Sequence, residues 1–332
     1  PAKARFILSE QGDTRRLKEF QLTSDGVAIG GEVVLGKDGG FREADFAGFQ
    51  IRPGDSASLK ITQQRRNQYK VVFNGAQFDA RGLIKTLLDK KGGAGGKDKT
   101  VYDIAIKAGR LQGFNGVVAT DVDGKVTGGP EGIGTLALKG ATNNRGAFHF
   151  EISGKGDTRA ASGDFADTGA ILRFLDVYPR MRGGTGTLLI SMPEETQWFG
   201  TFGVRNLSIT EDPAIRKLAE LPVAARSDTG AVVVTQSVRA GEASFDRLDL
   251  RFSRKGEIIT VEEGLMQGAV VGGTVTGEVD LGQRTLALTG TYVPVFALNN
   301  LFSKIPLLGF ALGGGSDEGL FGVTYRLAGP IS

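Results

Sequence analysis

One histidine stands among 332 residues, His149, and it lies between Phe148 and Phe150. On a strand, alternation puts its imidazole on the face opposite both rings. It therefore reads as a solvated side chain and not as an acid–base group. There is no cysteine, which excludes a disulfide framework and, with one histidine, any metal site built on His/Cys clusters. Gly-x-Ser-x-Gly does not occur, so nothing supports a nucleophile elbow. The run Gly92-Gly-Ala-Gly-Gly-Lys97 has the look of a phosphate loop, but Lys91 stands where the first glycine belongs and Asp98 where Ser or Thr should meet magnesium. It reads as a linker. Asp121-Val-Asp-Gly124 opens like a calcium loop without the closing glutamate, and is expected to be a hairpin turn. No two carboxylates are marked out for acid–base work. The expectation is a protein that is not an enzyme and holds no cofactor or metal.

What repeats is an apolar parity on strand after strand. Ile104/Ile106, Leu136/Leu138, Phe148/Phe150/Ile152, Leu188/Ile190, Leu248/Leu250/Phe252 and Leu286/Leu288 each alternate with other residues, as in antiparallel sheets with one dry and one wet face. The 51 glycines are about twice the usual share of about 7%. They punctuate these runs, the signature of many short strands joined by turns. Expected turns include Gln11-Gly-Asp13, Ser24-Asp-Gly26, Lys37-Asp-Gly-Gly40 and Arg52-Pro-Gly-Asp55, Asp-Gly steps being strong hairpin signals. Over residues 17–22, strict alternation would put Leu17 and Glu19 on one face and Phe20 on the other. Three segments break the period. Residues 79–89 carry Leu83, Ile84, Leu87 and Leu88 on one helical stripe, with Asp79 as N-cap. Residues 167–176 match them at an offset of 87 (Ile84/Ile171, Leu88/Leu175, Asp89/Asp176), and the Asp cap recurs at Asp167. A third helix is expected after Asp212-Pro213, where proline suits the first turn. The reading is a degenerate repeat, with strand-rich units at about 1–91, 100–178, 183–221 and 228–332.

The formal charge of +3 is too small to point to nucleic acid. Residues 1–110 carry a net +7 and the rest −4, which reads first as solvated strand faces and second as a possible attraction to anionic headgroups. From Tyr292 to Leu312 the only formal charge is Lys304. That length approaches the roughly 20 apolar residues that span a bilayer, but Pro294, Pro306 and Asn299-Asn300 interrupt it. It is expected to form a short helical excursion over 292–312 that offers Tyr292, Phe296, Leu301, Phe302, Ile305, Leu307, Leu308 and Phe310 to a membrane or a partner. No signal peptide or spanning helix is visible, and the chain reads as a fragment of a longer one.

The stretch Thr289 to Leu327, with Gly313-Gly-Gly-Ser-Asp-Glu-Gly-Leu-Phe-Gly-Val-Thr-Tyr-Arg-Leu at its end, resembles the C-terminal region of AsmA-like proteins, the YhdP type in particular. Ala166-Asp-Thr-Gly-Ala-Ile-Leu-Arg-Phe-Leu-Asp176, followed by Arg182-Gly-Gly-Thr-Gly186, is similar to another recurrent element of that family. The resemblance implies a bridge-like intermembrane lipid transport protein of Gram-negative bacteria. Such a protein is tethered to the inner membrane by a part not present here, lies in the periplasm, and carries phospholipid toward the outer membrane. It implies as partners phospholipids, the outer membrane or a protein there, and the rest of the same chain. It brings no catalytic residues.

The fold expected is mostly β, an elongated, curved antiparallel β-groove with a few short α-helices. Its floor would be Ile104, Ile106, Leu136, Leu138, Phe148, Phe150, Ile152, Leu188, Ile190, Leu248, Leu250, Phe252, Leu286 and Leu288. A second reading stands beside it, a structural or adhesive β-protein with a closed core and an assembly surface at its tail. One Trp and five Tyr are too few for the aromatic girdles of a membrane barrel or the platforms of a carbohydrate-acting enzyme.

Overall fold

The computed structural model describes residues 2–89, 99–130, 132–143, 145–194, 196–213, 224–227, 230–233, 242–268, 271–294 and 323–330. The chain divides into two compact units, Pro1–Pro179 and Arg180–Ser332. The first holds β1 (Lys3–Gln11), β2 (Thr14–Ser24), β3 (Val27–Gly36), β4 (Phe41–Gln50), β5 (Ser56–Arg65), β6 (Gln68–Asp79), α1 (Arg81–Asp89), β7 (Val101–Gln112), β8 (Val118–Gly129), β9 (Gly132–Thr142), β10 (Gly146–Ser153), β11 (Ala160–Phe165) and α2 (Thr168–Phe174). Each strand pairs with the next from β1 to β11, antiparallel throughout except β6–β7. That parallel pair follows from α1, which lies between the two strands in the chain and allows the longer crossover that parallel neighbours need.

The second unit holds β12 (Met181–Ser191), β13 (Gln197–Thr210), β14 (Ala224–Ser227), β15 (Gly230–Val233), β16 (Glu242–Lys255), β17 (Ile258–Gln267), β18 (Val271–Asp280), β19 (Thr285–Pro294) and β20 (Val323–Pro330). Strands β12, β13 and β16–β20 form an antiparallel succession, while β14 and β15 form a separate hairpin. Among the described residues β1 has a ladder only to β2 and β20 only to β19. Neither sheet closes on itself, and the fold is a mostly-β, curved and open antiparallel architecture.

Curvature comes from residues the hydrophobic pattern does not announce. Glu19, Asp121 and Asn206 have φ of 52°, 50° and 55°, the left-handed region that non-glycine residues seldom enter. Each interrupts simple alternation inside a strand, and bulges of this kind bend strands and strengthen their twist. At Glu19 the register slips between Leu17 and Phe20, so both residues face the same side. This corrects the strict alternation expected there. Asp121 corrects a second expectation. Asp121-Val-Asp-Gly124 is not a turn but the middle of β8, paired to β7 on both sides through Thr120–Arg110 and Val122–Ala108. The true turn is Phe114-Asn-Gly116, closed by Val117 N–H donating to the Phe114 carbonyl at 3.0 Å. Where β3 crosses β4, a side chain on Gly31 would put its Cβ 2.0 Å from the Asp45 carbonyl oxygen. Only glycine lets the two backbones approach so closely.

The helices cover one end of the first unit's strands. Asp167 caps α2 by accepting from Ala170 N–H at 2.8 Å, as expected. Asp79 sits one place earlier relative to its helix and accepts the Arg81 N–H at 3.0 Å. It also holds the Arg52 and Arg81 guanidiniums at 2.8 and 2.6 Å. Buried Asp55 accepts from Ile51, Arg52 and Asp79 N–H groups and ties the β4–β5 turn to this corner. Along α1, Ile84 is buried while Leu83 and Leu87 are exposed, so the expected stripe is split. Of the third expected helix, only Asp212 and Pro213 fall within the described residues.

The hydrogen bond from Arg81, then that from Arg52, hold the Asp79 carboxyl well below the usual carboxylate range, against the opposing effect of burial. A depressed carboxylate contributes stability that is full above the unfolded value near 4 and is lost as pH falls through the folded one. Asp79→Asn is therefore expected to lower the urea midpoint at pH 7. It should also flatten the loss of stability expected of wild type as pH falls below about 4, which unfolding curves at several pH values would show.

Candidate functional site: a continuous apolar face

Cross-strand registers align the apolar parity into rows. In the first unit Leu8, Leu17, Val33, Ala44, Ile61, Val71, Ile104, Val126, Leu136, Ile152 and Ala161 follow one another in register across all eleven strands. Beside them runs a second row of Phe46, Leu59, Phe73, Ile106, Gly124, Leu138, Phe150 and Gly163. No polar side chain interrupts either row. Ten inter-strand steps of about 4.8 Å give the longer row a path of roughly 48 Å along the sheet.

The second unit repeats the arrangement. One row is Leu188, Phe202, Leu250, Gly264, Val275, Gly290 and Tyr325. A second is Ile190, Gly200, Phe252, Val261, Gly277, Leu288 and Leu327. The row beyond it holds Trp198, Arg254, Ile259, Val279, Leu286 and Gly329. On the other side, Leu248 is in register with Val204 and Met266.

The glycine excess acquires a physical meaning on this face. A Cβ at Gly124 would meet Leu138 at 2.8 Å, at Gly140 the Phe148 ring at 2.9 Å, and at Gly163 the Phe165 and Phe150 rings at 2.6 and 3.0 Å. At Gly200 it would meet the Phe252 ring at 2.5 Å, and at Gly264 Leu250 at 2.9 Å. Large side chains thus lie down over the bare backbone of the neighbouring strand instead of standing up into a second layer. Tyr325 does the same over Gly290, its hydroxyl donating to the Thr274 carbonyl at 2.9 Å, and burial pushes its phenol pKa up. The outcome is a low, smooth apolar floor.

Burial grades along the strands. At one end of the second unit Met181, Val204, Leu207, Ile209, Ala243 and Phe245 are buried, Phe245 to 1% exposure. In the first unit Phe78, Ala80, Val117, Phe165 and Ala170 are buried toward the helices. Phe148 is among the covered residues at 9% exposure, so it belongs to the closed end and not to the open floor. The other expected floor residues, Ile104, Ile106, Leu136, Leu138, Phe150, Ile152, Leu188, Ile190, Leu248, Leu250, Phe252, Leu286 and Leu288, are all half-buried. A side chain sealed in a sandwich core would be almost fully covered. Of the expected membrane-contact residues, Tyr292 pairs through its backbone with Gly273 and Val323. Its side chain, and Phe296, Leu301, Phe302, Ile305, Leu307, Leu308 and Phe310, lie outside what the structure describes.

The opposite face is wet. It carries Arg16–Glu32 at 2.7 Å, Lys60 between Glu43 and Asp45 at 2.8 and 3.1 Å, Arg205–Asp249 at 3.1 Å and Arg251–Glu263 at 2.7 Å. His149 is exposed there, in register with Lys139 and Asp164. Among the described residues no group of three or more His, Cys, Asp or Glu could hold a metal ion, and no helix is long and apolar enough to cross a membrane.

Sequence reading missed the contribution of β1–β6 to the floor and the glycines that lie within it. Both carry a usable signal, since Val33, Ala44 and Ile61 keep the apolar parity and the glycines occupy it in place of large residues. Comparisons with family models, with curated proteins and with solved structures gave no match for this chain.

Proposed function

We propose that this chain is a non-enzymatic lipid-binding segment whose apolar face receives the acyl chains of phospholipids and lets them move along it. The observation that carries this reading is the in-register apolar row across every strand of the first unit, only half-buried along most of its length. Each methylene transferred from water to such a floor stabilises the complex by roughly 0.8 kcal/mol. A floor without polar hooks grips no one position on a chain, so lipids slide along it. Charged residues on the opposite face keep that side in water. The resemblance of residues 289–327 to AsmA-like proteins supports a place in the Gram-negative envelope, where the chain would form one stretch of a phospholipid path across the periplasm between inner and outer membranes. The remainder of such a protein would tether it to the inner membrane. The outer membrane, or a protein in it, would receive the lipid.

The test is purification of the chain from bacterial membranes followed by native mass spectrometry, paired with cysteines placed at Ile104 and Leu250. Co-purifying phospholipid and rapid labelling of both cysteines by a lipophilic maleimide are expected in the folded protein. Lipid-free protein with both thiols unreactive would mean a sealed interior and would favour a structural or adhesive role.

A further inference from the structure

Among the described residues of the second unit, the apolar face carries one formal charge, Arg254. It stands in register between Trp198 and Ile259, in the last row before the Lys255–Ile258 turn and at the opposite end of β16 from buried Phe245. Its guanidinium carbon lies 4.3 Å from the centre of the Trp198 ring. Its Nε donates to the Gly256 carbonyl at 2.8 Å. These two contacts fix the side chain, and among the described residues neither terminal nitrogen has a carboxylate partner. Three other arginines on this unit's strands differ. Arg205, Arg247 and Arg251 lie on the wet face and are each paired to Asp or Glu. At the comparable margin of the first unit, Arg15 is paired with Glu10 at 3.0 Å.

A half-buried, pre-oriented guanidinium at the edge of a greasy floor is complementary to a phosphate attached to hydrocarbon. The planar fork can donate two parallel hydrogen bonds to phosphate oxygens, and the Trp198 face holds it in place by cation–π attraction. We infer that Arg254 is a headgroup anchor, binding the phosphodiester of a lipid whose acyl chains run from the margin onto Phe252 and Leu250. This inference rests on the lipid-binding reading above and adds to it a fixed site with selectivity for an anionic headgroup.

The experiment compares phosphatidylglycerol and diacylglycerol carrying the same fluorescent acyl chain, titrated into the full chain. Wild type is expected to bind the phospholipid roughly tenfold more tightly, the scale of one charge-assisted hydrogen-bonded contact. Arg254→Gln should bring phospholipid affinity down to that of diacylglycerol and leave diacylglycerol binding unchanged. Arg254→Lys should keep part of the preference, because it retains the charge and loses the fork. Equal binding of the two lipids by wild type, or a preference that survives in Arg254→Gln, overturns the anchor and leaves the apolar-face reading intact. Binding of neither lipid by wild type overturns both. A thermal melt of each variant separates a lost contact from a lost fold, and a phospholipid preference kept by a well-folded Arg254→Gln is decisive against the proposal.

Discussion

Leu250→Asp is expected to reduce phospholipid binding by at least tenfold while the protein stays folded. Leu250 is in register with Phe202 on one side and Gly264 on the other, and its side chain lies over that glycine. Because it is half-buried, an aspartate there keeps contact with water when no lipid is present. The stability cost should then stay near 1 kcal/mol, within the ordinary range for substitutions. Once hydrocarbon covers the site, the same carboxylate must be desolvated without a partner, which costs several kcal/mol. Thr201→Asp on the neighbouring strand is the matched control, since Thr201 occupies the opposite parity from Phe202 and is exposed. Fluorescent-phospholipid titration and a thermal melt of the two variants would read the difference. Equal loss of lipid binding in both variants, or none in either, would remove the apolar face from the proposed function.

Phe245→Ala is expected to destabilise the protein by about 3–5 kcal/mol, the usual cost of emptying a fully buried aromatic site. Phe245 is 1% exposed, in register with buried Leu207. Phe252, on the same strand, is half-buried, and Phe252→Ala should cost about 1–2 kcal/mol because part of its surface still meets solvent. Guanidinium unfolding of the two variants would show the gap. Equal costs would mean that Phe252 is as enclosed as Phe245, and hence that the floor is a core. The pair thus tests directly whether the face is covered at one end and open in the middle.

Much of this was legible in the residues themselves. Alternation in β9, β10, β12, β16 and β19 named the apolar face, because a side-chain period of two leaves no choice once one face must be dry. The Asp-Gly hairpins near Gly26 and Gly39 and the cap at Asp167 were equally plain, being set by local backbone chemistry. One histidine and no cysteine excluded thiol chemistry and metal sites built on His/Cys clusters before any fold was known.

Tertiary structure alone decided the rest. Glu19, Asp121 and Asn206 reverse the parity within their strands by a backbone rotation that hydrophobic spacing does not encode, and Asp121-Val-Asp-Gly124 offers the same letters to a bulge as to a turn. Which registers bring Leu8 through Ala161 into one row depends on where successive strands slip at bulges that hydrophobic spacing does not mark. Coverage of Phe148 and Phe245, against the partial burial of Phe150 and Phe252, depends on what packs over each end of a strand. Alternation assigns a residue to a face and is silent on what, if anything, lies above it.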